Sequence, residues 1–222
     1  FPTRRSSDLE KGTGDRVTQT IAKMSKSLRN VINPDGVIAE YGADTMRLYE
    51  MYMGPLEASK PWNTRDIAGV FRFLQRAWRL AIDERSGELL LAAKEDPALE
   101  RRLHRTIARV AADTERLAFN TAIAALIELV NAATRPTEMS DPTQGGMTRS
   151  QLERFVCILA PFAPHMAEEL WQRLGHDDLV SLARWPEVDP AMLVDDEVEI
   201  AVQVQGKVKA RLRVPAGADA GA

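Results

Sequence analysis

The run Asn63-Thr64-Arg65-Asp66-Ile67-Ala68-Gly69-Val70-Phe71-Arg72-Phe73-Leu74-Gln75-Arg76-Ala77-Trp78-Arg79-Leu80-Ala81-Ile82-Asp83 sets its apolar residues at helical spacing. Ile67, Val70, Phe71, Leu74, Trp78 and Ile82 share one stripe, which predicts a long amphipathic helix with that stripe inward. Asn63 suits the N-cap, Asp66 stands one turn on, and Trp62 can staple onto Ile67. Trp62 thus reads as a helix-entry clamp ahead of a base-stacking platform. The other side carries Arg72, Arg76 and Arg79.

The pattern recurs downstream. Asp96-Pro97 opens a helix to Leu117, with Leu99, Leu103, Ile107, Val110 and Leu117 inward and Arg101, Arg102, Arg105, Arg109 and Arg116 outward. Asn120 starts another, Thr121 to Thr134, burying Ile123, Leu126, Ile127 and Val130. Arg135 to Met147 is rich in Pro, Gly and Thr and predicts a loop. Thr148 and Gln151 make a capping box, with Met147 stapled to Leu152. That helix ends at Pro161, and a further one runs from Pro164 to a stop at Gly175. Four to five such helices with connections of varied length predict a helical bundle.

Upstream lies Lys23-Met24-Ser25-Lys26-Ser27, two cations and two hydroxyls with no amphipathic period. Such a cluster suits a mobile loop that closes over phosphate, since lysine brings a compact charge and serine a small donor. From these residues alone, a solvated basic turn accounts for the cluster equally well. Asn33-Pro34 then caps a short helix that Gly42 ends. Asp44 caps the next, Met46 to Met53, which Gly54-Pro55 stops.

The 222 residues allow one large domain or two small ones, and an apolar share of 45% supports a core. A net charge of −3 argues against a wholesale nucleic-acid binder. The one cysteine, Cys157, excludes an internal disulfide, fits a reducing compartment and reads as a small buried hydrophobe. No apolar run approaches a membrane span. Phe1 to Leu9 has no apolar core of a secretory signal and reads as a cloning or assembly scar. His104 and His176 lack metal-ligand spacing, so no metal site is expected. His165 sits in a first helical turn, where packing is a commoner fate than catalysis.

After Gly175 the character changes. His176 to Val194 is irregular, with Trp185-Pro186 as a fixed turn. Val198, Ile200, Val202 and Val204 then alternate with polar residues, as do Val208, Ala210, Leu212 and Val214. These are two strands around Gln205-Gly206-Lys207. A loop of two residues would put the apolar rows on opposite faces. A loop of three pairs Val204 with Val208, Val202 with Ala210 and Ile200 with Leu212, and is the predicted register. Lys209, Arg211 and Arg213 then share the wet face near Glu197 and Glu199. A lone hairpin is marginal in water, so the small α/β domain it begins reads as truncated.

Several blocks together resemble a known family. Lys23 to Ser27 is similar to the second signature loop of class I aminoacyl-tRNA synthetases. Asn30-Val31, Pro34-Asp35 and Glu40-Tyr41-Gly42-Ala43-Asp44-Thr45-Met46-Arg47-Leu48 resemble the connector behind that loop in the leucine, isoleucine and valine enzymes. Leu159-Ala160-Pro161-Phe162-Ala163-Pro164-His165 with Ala167-Glu168-Glu169-Leu170-Trp171 resembles the helix-break-helix signature of their helical tRNA-binding domain. Met53-Gly54-Pro55-Leu56, Pro61-Trp62 to Leu80, and Val198 to Val208 resemble the leucyl-tRNA synthetases of bacterial type. Many members carry glycine before the asparagine that follows the loop; here Arg29 stands in that place.

The resemblance implies a mainly α fold: a class I anticodon-binding-type bundle, preceded by the lysine-serine loop and followed by the truncated domain. The expected division is 1–15 unassigned or artefactual, 16–60 loop and connector helices, 61–175 bundle, and 176–222 linker and partial C-terminal domain with a hairpin at 197–214. It implies a C-terminal part of an ATP-dependent leucyl-tRNA synthetase, cytoplasmic and monomeric, with tRNA(Leu), leucine and ATP with Mg2+ as partners of the whole enzyme. Lys26, with Lys23 second, would stabilise charge on the ATP phosphates, and Ser25 and Ser27 would hold the loop or donate to phosphate. Arg72, Arg76, Arg79, Arg101, Arg105, Arg109, Lys207 and Lys209 would meet tRNA phosphates. Solvated helix faces are the bland alternative for those charges. Rival readings are an isoleucyl- or valyl-tRNA synthetase and a non-catalytic RNA-binding module. The upstream nucleotide fold, editing domain and leucine pocket are absent from the sequence given, so this chain alone is not expected to catalyse.

Overall fold

The computed structural model describes residues 22–134, 146–194, 197–204 and 207–215, the last two segments by their backbone. The scar at Phe1 to Leu9, the extended piece at Arg16 to Ile21 and the loop over 135–145 lie outside the described residues. Seven α-helices are present among the described residues: α1 (Pro34–Tyr41), α2 (Ala43–Tyr52), α3 (Thr64–Ala81), α4 (Pro97–Glu115), α5 (Phe119–Ala133), α6 (Arg149–Leu159) and α7 (Pro164–Arg173). Two 3-10 turns, Val180–Leu182 and Pro190–Leu193, punctuate the stretch read as irregular.

Local chemistry explains most helix starts. Asn33, Asn63 and Asp96 each accept a backbone N–H with their side chains, and Pro34 and Pro97 take first-turn positions where no N–H is needed. Thr148 and Gln151 form the reciprocal capping box, and Met147 and Leu152 both lie in the core. Gly175, at φ +92°, follows α7, a backbone state that suits glycine.

The core is one cluster drawn from all seven helices. Helix α5 packs against α4, α3 and α2, while α6 packs against α4 and α7. On α3 the buried line differs from the stripe read in sequence. Phe73, Ala77, Leu80 and Ala81 are buried with Ile67, Val70 and Leu74, whereas Phe71 and Trp78 are half-buried. Phe71 meets Tyr41 edge-on, with ring centroids 5.7 Å apart. Arg173 lies over the Trp78 ring, 5.3 Å from its centroid. Both aromatics therefore serve the border of the core, where a large ring can face a second helix and solvent at once.

Leu117 also departs from its expected inward place. It is 56% exposed, and its φ of +60° ends α4 and turns the chain into α5. Asp44 is not the cap of α2: that helix begins at Ala43 behind Gly42, at φ +88°, and the Asp44 carboxylate is engaged elsewhere. Ile127 is half-buried, and Leu129 takes its place among the fully buried residues of α5.

The C-terminal strands, β1 (Glu197–Val204) and β2 (Lys207–Pro215), pair antiparallel. Val204 faces Lys207, so the loop of three residues is not formed. A shift between Val202 and Gln203 leaves Lys209 without a single partner, and Val202–Ala210 and Ile200–Leu212 then pair as expected. A β-bulge thus takes up the extra residue that the apolar alternation requires.

Candidate functional site

The lysine-serine stretch folds as a compact turn tied by its own polar groups. The Asn30 side-chain oxygen accepts from Ser25 N at 2.8 Å, and the Asn30 amide donates to the Lys23 carbonyl at 3.4 Å. Ser25 Oγ accepts from Leu28 N at 3.2 Å and lies 3.2 Å from Ser27 Oγ. Arg29 N donates to the Lys26 carbonyl at 3.2 Å. Arg29 itself sits at φ +52°, the left-handed region, at the position where many family members carry glycine. A side chain there costs on the order of 1 kcal/mol. Ser25 is half-buried within the turn, and Ser27 is exposed. Both ammonium-bearing side chains, Lys23 and Lys26, are exposed, and neither pairs with a carboxylate among the described residues.

A cleft of about 800 Å³ opens beside the turn. Lys23 and Met24 line one side; Met46 and Glu50 of α2, with Met53 just past its end, line another, and Lys60 and Trp62 close it. Lys23 therefore faces a concavity, whereas Lys26 is not among its lining residues. Lys60 is committed, since its Nζ donates to the Gly54 carbonyl at 2.6 Å. Trp62 donates from its indole N–H to Thr64 Oγ1 at 2.9 Å and meets Tyr49 edge-on, 5.0 Å between centroids. These contacts give Trp62 the entry-clamp role.

Helix α2 ties the connector to the bundle. The Asp44 carboxylate accepts from Met166 N at 2.8 Å, from His165 N at 3.3 Å, and contacts His165 Nδ1 at 2.8 Å. Arg47 donates from Nε and Nη2 to the Pro161 carbonyl at 3.1 and 2.9 Å. The sequence offered one clue to this contact. Helix α7 starts behind Ala163, which has no side chain to cap it, so an acceptor had to come from outside.

The predicted arginines fall into two places rather than one face. Arg101, Arg105 and Arg109, with Arg102, line a cleft of about 600 Å³ on α4, beside Glu95, Glu100 and Glu128. Arg76 and Arg79 line a separate cleft of about 290 Å³ with Leu80 and Thr134. Arg72 is exposed on α3. Several of these cations are already engaged. Arg79 pairs with Glu84 at 3.0 Å, Arg101 donates to the Val194 carbonyl at 2.6 Å, and Arg109 lies 3.6 Å from Asp113. Arg76 Nε is buried and has no hydrogen-bond partner among the described residues. Nothing is described of the Lys207 and Lys209 side chains.

Two buried carboxylates, which sequence reading missed, shape this surface from below. Glu100 receives a two-pronged contact from Arg154, at 2.7 and 2.9 Å, and the Gln151 amide at 2.8 Å. His104 Nδ1 accepts from Asp189 N at 3.1 Å, which leaves Nε2 to donate to Glu100 at 3.1 Å. Burial opposes charge on Glu100, but the hydrogen bonds from Arg154 and Gln151 and the charge of Arg154 outweigh it and hold the carboxyl below its usual range. Asp113 is fully buried and accepts from Thr121 Oγ1 at 2.6 Å and from Arg116. Its carboxyl is likewise lowered: burial raises it, and Thr121, Arg116 and Arg109 more than compensate. Burial, reinforced by Glu153, raises the Cys157 thiol, in keeping with a packing role.

The profile for the anticodon-binding domain of tRNA ligases matches residues 96–222. The chain belongs to this family. A second profile, for class I tRNA synthetases of the I, L, M and V group, matches residues 17–60. The anticodon-binding domain thus holds α4 to α7 and the hairpin, and the lysine-serine turn with α1 and α2 falls in the class I segment. Helix α3, with Arg72, Arg76 and Arg79, lies between the two matches. The chain is 52% identical over 204 residues to the leucine–tRNA ligase of Salinispora tropica and 51% identical over 206 residues to that of Mycobacterium marinum. Each match covers 91% of this chain and 20% of the relative, so the chain spans about a fifth of their length. A crystal structure of a LeuRS from Agrobacterium radiobacter, in a ternary complex with tRNA and LeuAMS, superimposes with a TM-score of 0.69 at 31% identity. That superposition covers 89% of this chain and 27% of the other. Among the described residues, no helix is long and apolar enough to cross a membrane.

Proposed function

We propose that this chain is the part of a leucine–tRNA ligase that supplies the ATP-phosphate loop and the helical tRNA-binding domain. The observation that carries the reading is the tied turn that exposes Lys23 and Lys26 to solvent, with Lys23 lining a cleft, within a segment of class I synthetase type. Identity near one half to leucine–tRNA ligases favours leucine over isoleucine or valine.

In the reaction, a leucine carboxylate oxygen attacks the α-phosphorus of ATP, the bond to the bridging oxygen breaks, and pyrophosphate leaves with the electron pair. A ribose hydroxyl at the tRNA 3′ end then attacks the leucyl carbonyl, and AMP leaves. Negative charge gathers on the phosphate oxygens during the first step. Lys26, with Lys23 second, meets that charge in the transition state, where a cation on a closing loop contributes most. Ser25 holds the turn through Leu28 N, and Ser27 Oγ is exposed and near enough to Ser25 to share its hydrogen bond.

The arginines of the α4 cleft and of α3 would contact tRNA phosphates, which positions RNA without reading its bases. Acidic neighbours in the α4 cleft limit that role to the outer guanidinium edges. Lys207 and Lys209 extend the same proposal to the hairpin. Pyrophosphate exchange with the full-length enzyme tests the catalytic half: Lys26→Ala should abolish most leucine-dependent exchange, and parental exchange would refute the assignment. A salt titration of tRNA binding to this chain tests the other half. Affinity should fall steeply with salt; a flat response would remove the phosphate contacts.

A further inference from the structure

Helix α2 reaches the α6–α7 break from one side with two opposite charges. Asp44 occupies the amide end, at His165 and Met166, and Arg47 occupies the carbonyl end, at Pro161. Each charge suits the local backbone polarity: anion toward free N–H groups, cation toward a free C=O. The far half of α2 is fixed as well. Tyr49 Oη donates to the Asn63 carbonyl at 2.8 Å and accepts from Asn63 N at 3.1 Å. Helix α2 follows α1 directly through Gly42, and α1 follows the lysine-serine turn through Val31-Ile32-Asn33. The cleft beside Lys23 is walled in part by Met46 and Glu50 of the same helix and by Met53 at its C-terminal end. The wall of the lysine cleft thus belongs to an element whose seat is set by the bundle.

We propose that Asp44 and Arg47 are positioning residues that lock the lysine loop to the tRNA-binding bundle, so that the placement of Lys23 and Lys26 depends on the α6–α7 break. Neither residue lines the cleft beside Lys23. Their effect on the reaction is therefore indirect, through the seat of α2. The inference rests on the reading above, that the full-length protein activates leucine with ATP.

The test uses the full-length protein with Asp44→Ala, Arg47→Ala, Arg47→Lys and Thr148→Ala. Leucine-dependent pyrophosphate exchange, counted per active site, and the melting temperature are measured for each. Both alanine variants should lose about 10- to 100-fold in kcat with the leucine KM unchanged, the size expected when a reacting group is displaced by about 1 Å. Arg47→Lys, which keeps one donor toward Pro161, should recover part of the loss. Thr148→Ala removes the α6 cap, so it should lower the melting temperature while keeping the parental kcat. Parental kcat in both alanine variants would overturn the proposal. So would an equal loss of kcat in Thr148→Ala, because general loosening would then suffice. Parental protein without exchange would overturn the functional reading as well; active parental protein with unaffected variants would overturn this inference alone.

Discussion

Asp44 Oδ1 lies 2.8 Å from His165 Nδ1, although 121 residues separate them in the chain. The same carboxylate accepts the Met166 and His165 amides. An aspartate at the start of one helix therefore caps another. Helix α7, begun by Ala163 and Pro164, has no side-chain cap of its own.

Loss of this remote cap should be measurable in the isolated chain. Asp44→Ala should destabilise it by about 1–2 kcal/mol, the range of a lost N-cap. Asp44→Asn keeps an acceptor and should lose less. Urea denaturation followed by helical circular dichroism reads both, and equal midpoints for Ala and parental chains would show that the contact is idle.

The Glu100–Arg154 pair predicts an asymmetric response. Arg154→Ala strands a buried carboxylate and should cost about 3 kcal/mol. Replacing both partners with apolar residues of similar volume should cost far less. A double-mutant cycle on unfolding free energies gives the comparison.

Acid should weaken the fold in a defined direction. The carboxyls of Glu100 and Asp113 are both held below their ordinary values. Their stabilisation is complete above the unfolded values, about 4.3 for glutamate and 3.9 for aspartate, and is lost as pH falls through the lower folded values. The urea midpoint should be level above about pH 5 on this account. It should drop in more acidic solution, with a shallower drop in Glu100→Gln.

Leu117 is exposed and left-handed, an arrangement that costs a branched residue on the order of 1 kcal/mol. Leu117→Gly should raise stability by several tenths of a kcal/mol, the strain relieved less the added freedom of the unfolded chain. Calorimetry would detect the shift; a lower melting temperature would mean that Leu117 packing outweighs its strain.

The turn predicts a local effect. Asn30→Ala removes the acceptor for Ser25 N and the donor to the Lys23 carbonyl. Hydrogen exchange at Ser25 and Leu28 should speed up while bundle amides keep their protection. Unchanged exchange at both would show that Ser25 Oγ suffices to hold the turn.

The helices were legible because caps and periodicity act within one turn of chain. Asn33, Asn63, Asp96 and Thr148 all cap where their sequence context indicated. Legibility failed where a third element decided the outcome. Phe71 and Phe73, two residues apart, point to nearly opposite sides of α3; the packed neighbours turn the Phe73 side into the interior and leave Phe71 against Tyr41 at the border. Asp44 fits an N-cap by type, yet its partners lie beyond the reach of any local rule. At the candidate site, the lysines and serines stood out as letters, but the tie through Asn30 and the left-handed Arg29 arise only once the backbone has closed into the turn. The split of the arginines between two clefts was equally hidden, because helix periodicity fixes a face and leaves the neighbour of that face unknown.

The knot of Glu100, His104, Gln151 and Arg154 has a bearing on how the chain rejects near-miss assemblies. Sliding α6 along α4 by one turn would move Arg154 about 5.4 Å from its carboxylate. Oily side chains would tolerate such a slip with small change, since hydrocarbon meets hydrocarbon either way. A lone anion in that setting would not, so the few polar atoms in the seam act as a ratchet tooth, admitting a single alignment of the two helices.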